Sequence, residues 1–202
     1  MIVKKIFKSA TDFRKSLEMR LLVQSQEQNV DLQRLRRKVA FDRFLARLFS
    51  DKETTWLLKG GYLLEIQFAH ARSTKDIDLS FTTTLGIKNY ESDILLGQLK
   101  NFATKDLGDF FSYKISSPSR ELDGAVEGGF RFPVEAMIDG RIFIRFHLDV
   151  GLGDYLHKPE KEIKGEDWLE FAGIIPPTIR AIPKNSNSLK NYMPIRFLDL
   201  IA

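Results

Sequence analysis

Cysteine is absent from all 202 residues. Disulfides, thiolate-held zinc or iron–sulfur centres and cysteine nucleophiles are therefore excluded, and an oxygen-liganded metal remains open. Long apolar runs are missing too: none approaches the roughly 20 residues that a membrane span requires. The N-terminal stretch MIVKKIFKSATDF lacks the apolar core of a secretory signal. The expectation is a cytoplasmic protein with no membrane partner. A large charge excess is also wanting, since 31 Lys+Arg against 27 Asp+Glu leave only +4. That balance permits a polyanionic partner without demanding one, so the distribution of the cations matters more than their total. The 43% apolar content suits a folded chain with one substantial core or two small ones, and neither repeats nor low-complexity tracts interrupt it.

Helical spacing of Phe13, Leu17, Leu21 and Leu22 behind the cap candidates Ser9, Thr11 and Asp12 predicts a first helix over 9–27. A second, from about 31 to 49, sets Leu32, Leu35, Val39, Phe44, Leu45 and Leu48 on one side. Arg34, Arg36, Arg37, Lys38, Arg43 and Arg47 are spread around the rest. Residues 54–58 read as a short buried strand ended by Gly60-Gly61, and 62–68 as a helix. Residues 76–81 alternate polar and apolar, as a strand with one face towards a cleft does. Further on, 90–107 reads as a helix and 110–116 as a strand. Residues 129–137 and 141–150 read as a hairpin around Asp139-Gly140, and 174–183 as an extended segment.

Side chains two apart on a strand share a face, which makes the carboxyl groups of Asp76 and Asp78 neighbours. Two carboxylates about 4 Å apart repel by roughly 4 kcal/mol at an effective dielectric near 20, so such a pair calls for a cation, a shared proton or wide solvent exposure. Magnesium is the natural cation for an all-oxygen site, with manganese as its substitute, and paired ions of this kind serve phosphoryl transfer. The plain alternative is an edge strand with two solvated acids. Lys59-Gly60-Gly61, set between a strand and a helix, lets the backbone approach a ligand and offers helix-start amides to a phosphate, with Lys59 adding charge. Taken alone, it is equally an ordinary tight turn. Asp149, at the end of the strongest downstream strand, is the candidate third carboxylate or a turn cap before Gly151. His147, two residues earlier on the same face, either touches a nucleotide or partners Asp149 structurally.

Lys59-Gly60-Gly61, the fourteen intervening residues, Asp76-Ile77-Asp78 and the later His147-Leu148-Asp149 resemble the AbiEii-type nucleotidyltransferases. These are toxins of type IV toxin-antitoxin and abortive-infection systems within the DNA polymerase beta-like superfamily. The likeness includes Arg72-Ser73-Thr74-Lys75 and spans roughly 9–183. It implies an α+β nucleotidyltransferase fold, with a mixed β-sheet flanked by helices after an N-terminal helical segment. It also implies a magnesium-dependent transfer of a nucleotide from a nucleoside triphosphate to tRNA or another RNA. Gly60 and Gly61 would hold the triphosphate, Asp76, Asp78 and Asp149 the metal, and Arg72 and Lys59 would neutralise phosphate charge. Asp149 would also help to activate the incoming hydroxyl. Thr74 is a candidate regulatory position, because a phosphate there would place about two negative charges where the triphosphate must sit.

The family continues with an "AEKLHA"-type helix and an "RxKDLxDL" segment, to which Lys190 and Asp199 correspond loosely. The expected organisation is a nucleotidyltransferase domain over 1–183 and a shortened helical remnant over 184–202, where an apolar patch from Ile195 to Ile201 would favour a homodimer. The basic helix from Arg34 to Arg47 is the candidate surface for the RNA acceptor, with a solvated face as its alternative. An antitoxin is the expected protein partner. A shortened, non-catalytic relative that binds nucleotide or a partner protein is the second functional reading.

Overall fold

The computed structural model describes residues 7–51, 54–68, 71–81, 91–122, 128–152 and 161–182. Helix α1 (Ala10–Gln28) starts where the Ser9 side chain accepts the Asp12 amide at 3.1 Å, and ends at Asn29 in the left-handed region. Asp31 caps α2 (Leu32–Leu48) in the same way through the Arg34 amide at 2.8 Å. Strand β1 (Trp56–Lys59) runs straight into α3 (Gly60–Gln67), and the connection from α3 leads to β2 (Asp76–Phe81). Then follow α4 (Ser92–Ala103), β3 (Phe111–Ile115), the short β4 (Arg120–Glu121) and the long hairpin β5 (Gly129–Ile138) and β6 (Arg141–Leu152). Strand β7 (Lys161–Lys164), a 3-10 turn and β8 (Thr178–Ala181) complete the described chain.

The strands form one mixed sheet in the order β3-β5-β6-β2-β1-β8-β7, with β4 added to β5. β2 lies antiparallel to β1, the strand before it in the chain, and parallel to β6 from the distant hairpin. Ile77, Leu79, Phe132, Val134, Leu148 and Val150 alternate onto the face that packs against the helices, and all are buried. Phe41 of α2 meets Tyr62 of α3 and Phe146 of β6 edge to face, each at 4.9 Å between ring centres. The core of α2 is broader than its apolar stripe predicts: Asp42, Arg43 and Arg47 are buried beside its leucines and phenylalanines.

Two polar clusters hold this arrangement. Asp109 receives Arg43 Nε at 2.7 Å and both terminal nitrogens of Arg47 at 2.6 and 2.8 Å, while Arg47 and Arg43 also reach the carbonyls of Phe111 and Ile175. Burial alone would raise the Asp109 pKa, yet the two guanidinium groups hold it below its ordinary value. Asp42 accepts Tyr62 Oη at 2.7 Å, the Glu166 amide at 3.1 Å and Trp168 Nε1 at 3.1 Å, so it fastens the 165–173 segment to α2 and α3. Among the described residues, no helix is long and apolar enough to cross a membrane. Residues 184–202, including Lys190, Asp199 and the Ile195–Ile201 stretch, lie outside the described residues.

Candidate active site

Alternation sends Asp76 and Asp78 of β2 to the sheet face opposite the core, and sheet order brings their companions. Parallel pairing sets His147 across from Asp76 and Asp149 across from Asp78; antiparallel pairing sets Lys59 across from Asp78. Adjacent strands lie about 4.8 Å apart, so three carboxylates from two strands share one small area.

Gly60 sits at the junction of β1 and α3 with φ +66°, and a Cβ built there would stand 2.0 Å from an Asp78 carboxylate oxygen. Only glycine fits, on both backbone and steric grounds. The Gly61 amide donates to Asp78 Oδ2 at 3.1 Å, so this helix-start donor is turned to the carboxylate and does not stand open for a ligand. Burial raises the Asp78 pKa to about 6; the Gly61 hydrogen bond opposes the rise, and the negative charges of Asp149 and Asp76 add to it.

Arg131 of β5 faces Asp149 in the antiparallel register. Its Nε donates to Asp149 Oδ1 at 2.6 Å, Nη2 donates to Asp149 Oδ2, and the same nitrogen lies 3.3 Å from Asp76 Oδ2. The hydrogen bond to Asp149 is the main reason why the Arg131 pKa stands above its already high ordinary value. His147 Nδ1 lies 3.0 Å from Asp76 Oδ1. The expected His147–Asp149 partnership is thus replaced by His147–Asp76, because the cross-strand neighbour is nearer than the residue two along the same strand.

Thr74 precedes β2 and is not part of it. Its amide donates to Glu65 Oε2 at 3.1 Å and its hydroxyl donates to the Asp76 carbonyl at 3.2 Å. A Cβ on Gly61 would meet the Thr74 side chain at 3.0 Å, so this residue does border the glycine turn. Arg72 is exposed, and no ion pair joins it to the three carboxylates.

Among the described residues, no three His, Asp or Glu side chains stand close enough, as oriented, to hold a metal ion. Their chemistry nevertheless suits one: three oxygen-donor carboxylates meet, and a guanidinium bridges two of them as a cation would. Arg131 and a divalent ion would compete for the same oxygens. The sequence reading passed over Arg131; its signal was a charged residue set between Phe130 and Phe132 in a strand otherwise rich in apolar residues.

The basic helix differs from its expected role. Arg34 is paired with Glu65, Arg36 with Glu18 and Lys38 with Glu166, while Arg43 and Arg47 are buried against Asp109. Helical spacing displays the cations but not the acids that tertiary packing brings to most of them; Arg37, with Asp31 no nearer than 3.9 Å, is the cation of this group left without a close acid among the described residues.

The family described as nucleotidyl transferase AbiEii toxin, type IV TA system, matches residues 43–184, well over half of the chain. The chain belongs to the AbiEii nucleotidyltransferase toxin family. This AbiEii-family chain is similar in fold to MenT4, a nucleotidyltransferase toxin from Mycobacterium tuberculosis H37Rv. The TM-score is 0.52 at 17% identity, over 76% of this chain and 50% of that one. Also similar are a putative nucleotidyltransferase from H. pylori (TM-score 0.44, 16% identity, 80% and 58% covered) and JHP933 from Helicobacter pylori (0.42, 16%, 79% and 55%). The AbiEii-family chain therefore spans between half and three-fifths of the length of these structures. No curated protein matches it.

Proposed function

We propose that this chain is the toxin of a two-gene system and transfers a nucleotide from a nucleoside triphosphate to RNA, tRNA foremost, in a magnesium-dependent reaction that manganese also supports. The carrying observation is the convergence of Asp76, Asp78 and Asp149 on one open sheet face, against a glycine turn whose Cβ space Asp78 already fills. Asp76 and Asp78 would ligate magnesium, with Asp149 completing the set. Bound there, the ion would supply charge neutralisation at the triphosphate. Lys59 lies on the β1 side of Asp78 and would meet the phosphates, the Gly61 amide would join it once Asp78 turns to the metal, and exposed Arg72 would fold in over them. Asp149 would accept the proton of the acceptor hydroxyl once Arg131 has moved off it. A phosphate on Thr74, beside Gly61, would repel the triphosphate. An antitoxin protein and a second copy of the chain are the proposed protein partners.

The test is incubation with each labelled nucleoside triphosphate, magnesium and total RNA, beside Asp78→Ala and Asp149→Asn. Label on RNA that both variants abolish supports the reading. Nucleotide bound without label transfer to RNA or protein would favour the second reading, a non-catalytic binder. The observation on that side is Arg131, which engages both oxygens of Asp149.

A further inference from the structure

Beside Asp76, on the flank away from the glycine turn, lies a cavity of about 590 Å³ lined by Arg37, Lys75, Arg131, Arg145, Ser116 and His147 among others. Its size falls in the range of roughly 300–1,000 Å³ typical of ligand sites. The cavity follows from register. β6 pairs with β2 only from His147 onward, so residues 141–146 run past the start of β2 and leave a gap along that edge of β6. Arg145 and His147 alternate onto the open face there, Arg131 comes from β5, and α2 contributes Arg37.

Two of these cations, Arg37 and Lys75, have unused capacity. Arg37 is only 16% exposed in its side chain, its nearest acid, Asp31, is 3.9 Å away, and its Nε is buried without a hydrogen-bond partner. A buried guanidinium donor left unmade is costly, and it points to an acceptor that arrives with a ligand. Lys75 is exposed and makes no ion pair among the described residues, while Arg145 holds Glu135 at 2.8 Å from an exposed position. Asp76 and Glu135 also line the cavity, and Arg131 and Arg145 are paired with acids, so the surplus positive charge on this flank comes from Arg37 and Lys75.

We propose that this cavity is the docking groove for the phosphodiester backbone of the acceptor polynucleotide, gripped by Arg37, Lys75 and Arg145. The inference rests on the nucleotidyltransferase reading above. Two sides of one carboxylate cluster are thereby divided: donor phosphates on the β1–α3 side, acceptor phosphates on the β5–β6 side. Guanidinium forks match phosphate oxygens in pairs, and a cavity of about 590 Å³ has room for one or two nucleotides of a single-stranded end. Phe146 is buried, so His147, with 43% of its side chain exposed, supplies a ring open to the groove. Recognition is accordingly of backbone more than of bases, with strong salt dependence and weak sequence preference.

The probe is a single-stranded RNA of about twelve nucleotides with a free 3′ hydroxyl and a 5′ fluorescein. Binding is followed by anisotropy at several salt concentrations, without magnesium or nucleotide. Arg37→Gln with Lys75→Gln should weaken binding by about tenfold and flatten log K against log salt by about 0.7 for each cation removed. Because Arg37 is partly buried, Lys75→Gln with Arg145→Gln serves as the second pair, on exposed positions; circular dichroism reports that the fold is kept. Fluorescent nucleoside triphosphate should bind both pairs as it binds the unaltered protein. Wild-type RNA affinity in both pairs would overturn the groove, as would absence of RNA binding by the unaltered protein at low salt. Polyglutamate displacing RNA at equal charge concentration would do so too, since it would mark a surface for acidic proteins. If groove-dependent binding occurs but no nucleotide is transferred, the groove stands and the enzymatic reading fails; transfer at full rate by both pairs gives the reverse.

Discussion

Asp109 and Asp149 each lie under an arginine, but their surroundings differ in charge and water. Asp109 faces two guanidinium groups, is fully buried with Arg47, and has its oxygens taken by donors from α2 and by the Phe111 amide. Asp149 shares a single guanidinium with Asp76, stands beside Asp78, and keeps partial contact with solvent. The first cluster is cation-rich and closed; the second is acid-rich and open. A closed cluster whose opposite charges meet fastens a fold, whereas an open one with surplus negative charge has room for an ion or a ligand. The burial-raised pKa of Asp78, at about 6, against the depressed pKa of Asp109, expresses the same contrast.

The sharpest way to break the comparison is to remove each acid. Asp109→Ala strands two buried guanidinium groups and should destabilise by about 3–5 kcal/mol in urea denaturation. Asp78→Asn should leave stability unchanged or raised, because a crowded ionised acid is lost, while nucleotide transfer falls at least about a hundredfold. An equal loss of stability in the two variants would erase the distinction drawn here.

Gly60→Ala tests how closely the turn and the acids are joined. The added methyl enters the space of the Asp78 carboxylate at a positive φ, and a cost of about 1–3 kcal/mol with loss of nucleotide binding is expected. Thermal melting and nucleotide titration measure the two effects separately.

Asp42 extends the comparison to an acid that no guanidinium pairs among the described residues. Burial raises its pKa from 3.8 to about 7, against the Tyr62 hydrogen bond. Between those values the folded state binds the extra proton, so stability is greatest below about pH 4 on this group's account and falls as pH rises through about 7. The slope reaches about 1.4 kcal/mol per pH unit at most. Asp78 adds a slope of the same sign up to about pH 6, and Asp109 contributes the opposite sign below 3.8. Asp42→Asn should flatten the profile between about pH 4 and 7, matching the unaltered protein near pH 4 and exceeding it in stability at neutrality. The amide oxygen can accept from the Glu166 amide and Trp168, its nitrogen can donate to Tyr62, and Tyr62 can donate to the Lys38 carbonyl at 3.1 Å. Melting temperatures of the two proteins across that range decide it.

The smallest expected effect concerns Arg131. Arg131→Met removes the cation that shares Asp149 and Asp76, and Mn2+ should bind the nucleotide-free protein about tenfold more tightly, as read by electron paramagnetic resonance. Weaker Mn2+ binding would mean that Arg131 holds the carboxylates ready and does not compete for them.

Much of the fold could be read from local pattern. α1, α2, β2 and the β5–β6 hairpin lie within a residue or two of their predicted bounds, because capping side chains, 3.6-residue spacing and strict alternation act at short range. β4 and β7 went unpredicted: they are two and four residues long, and strand partners rather than composition define them. At the site, Gly60, Asp76 and Asp78 were legible from backbone and face arguments. The role of Arg131 was not, since it depends on which residue of β6 stands opposite in a hairpin that carries a bulge at Ala136/Met137. The pairing within the basic helix was hidden for the same reason: Glu18, Glu65, Asp109 and Glu166 are remote in sequence from the arginines and lysine they neutralise, and only the fold leaves Arg37 without a close acid among the described residues.

By itself the sequence determined the elements, the shared face of Asp76 and Asp78, and the glycine that their approach requires, because each is set by spacing within a few residues. Tertiary structure alone decided that β2 lies between β1 and β6, that Asp149, one of two readings in the sequence, stands beside Asp78, that Arg131 joins them while Arg43 and Arg47 leave the surface, and that a groove opens where β6 outruns β2. Those outcomes depend on register and packing between distant segments. In such contacts the free energy of a charge is fixed by the partner the fold supplies, which neighbours in the sequence do not reveal.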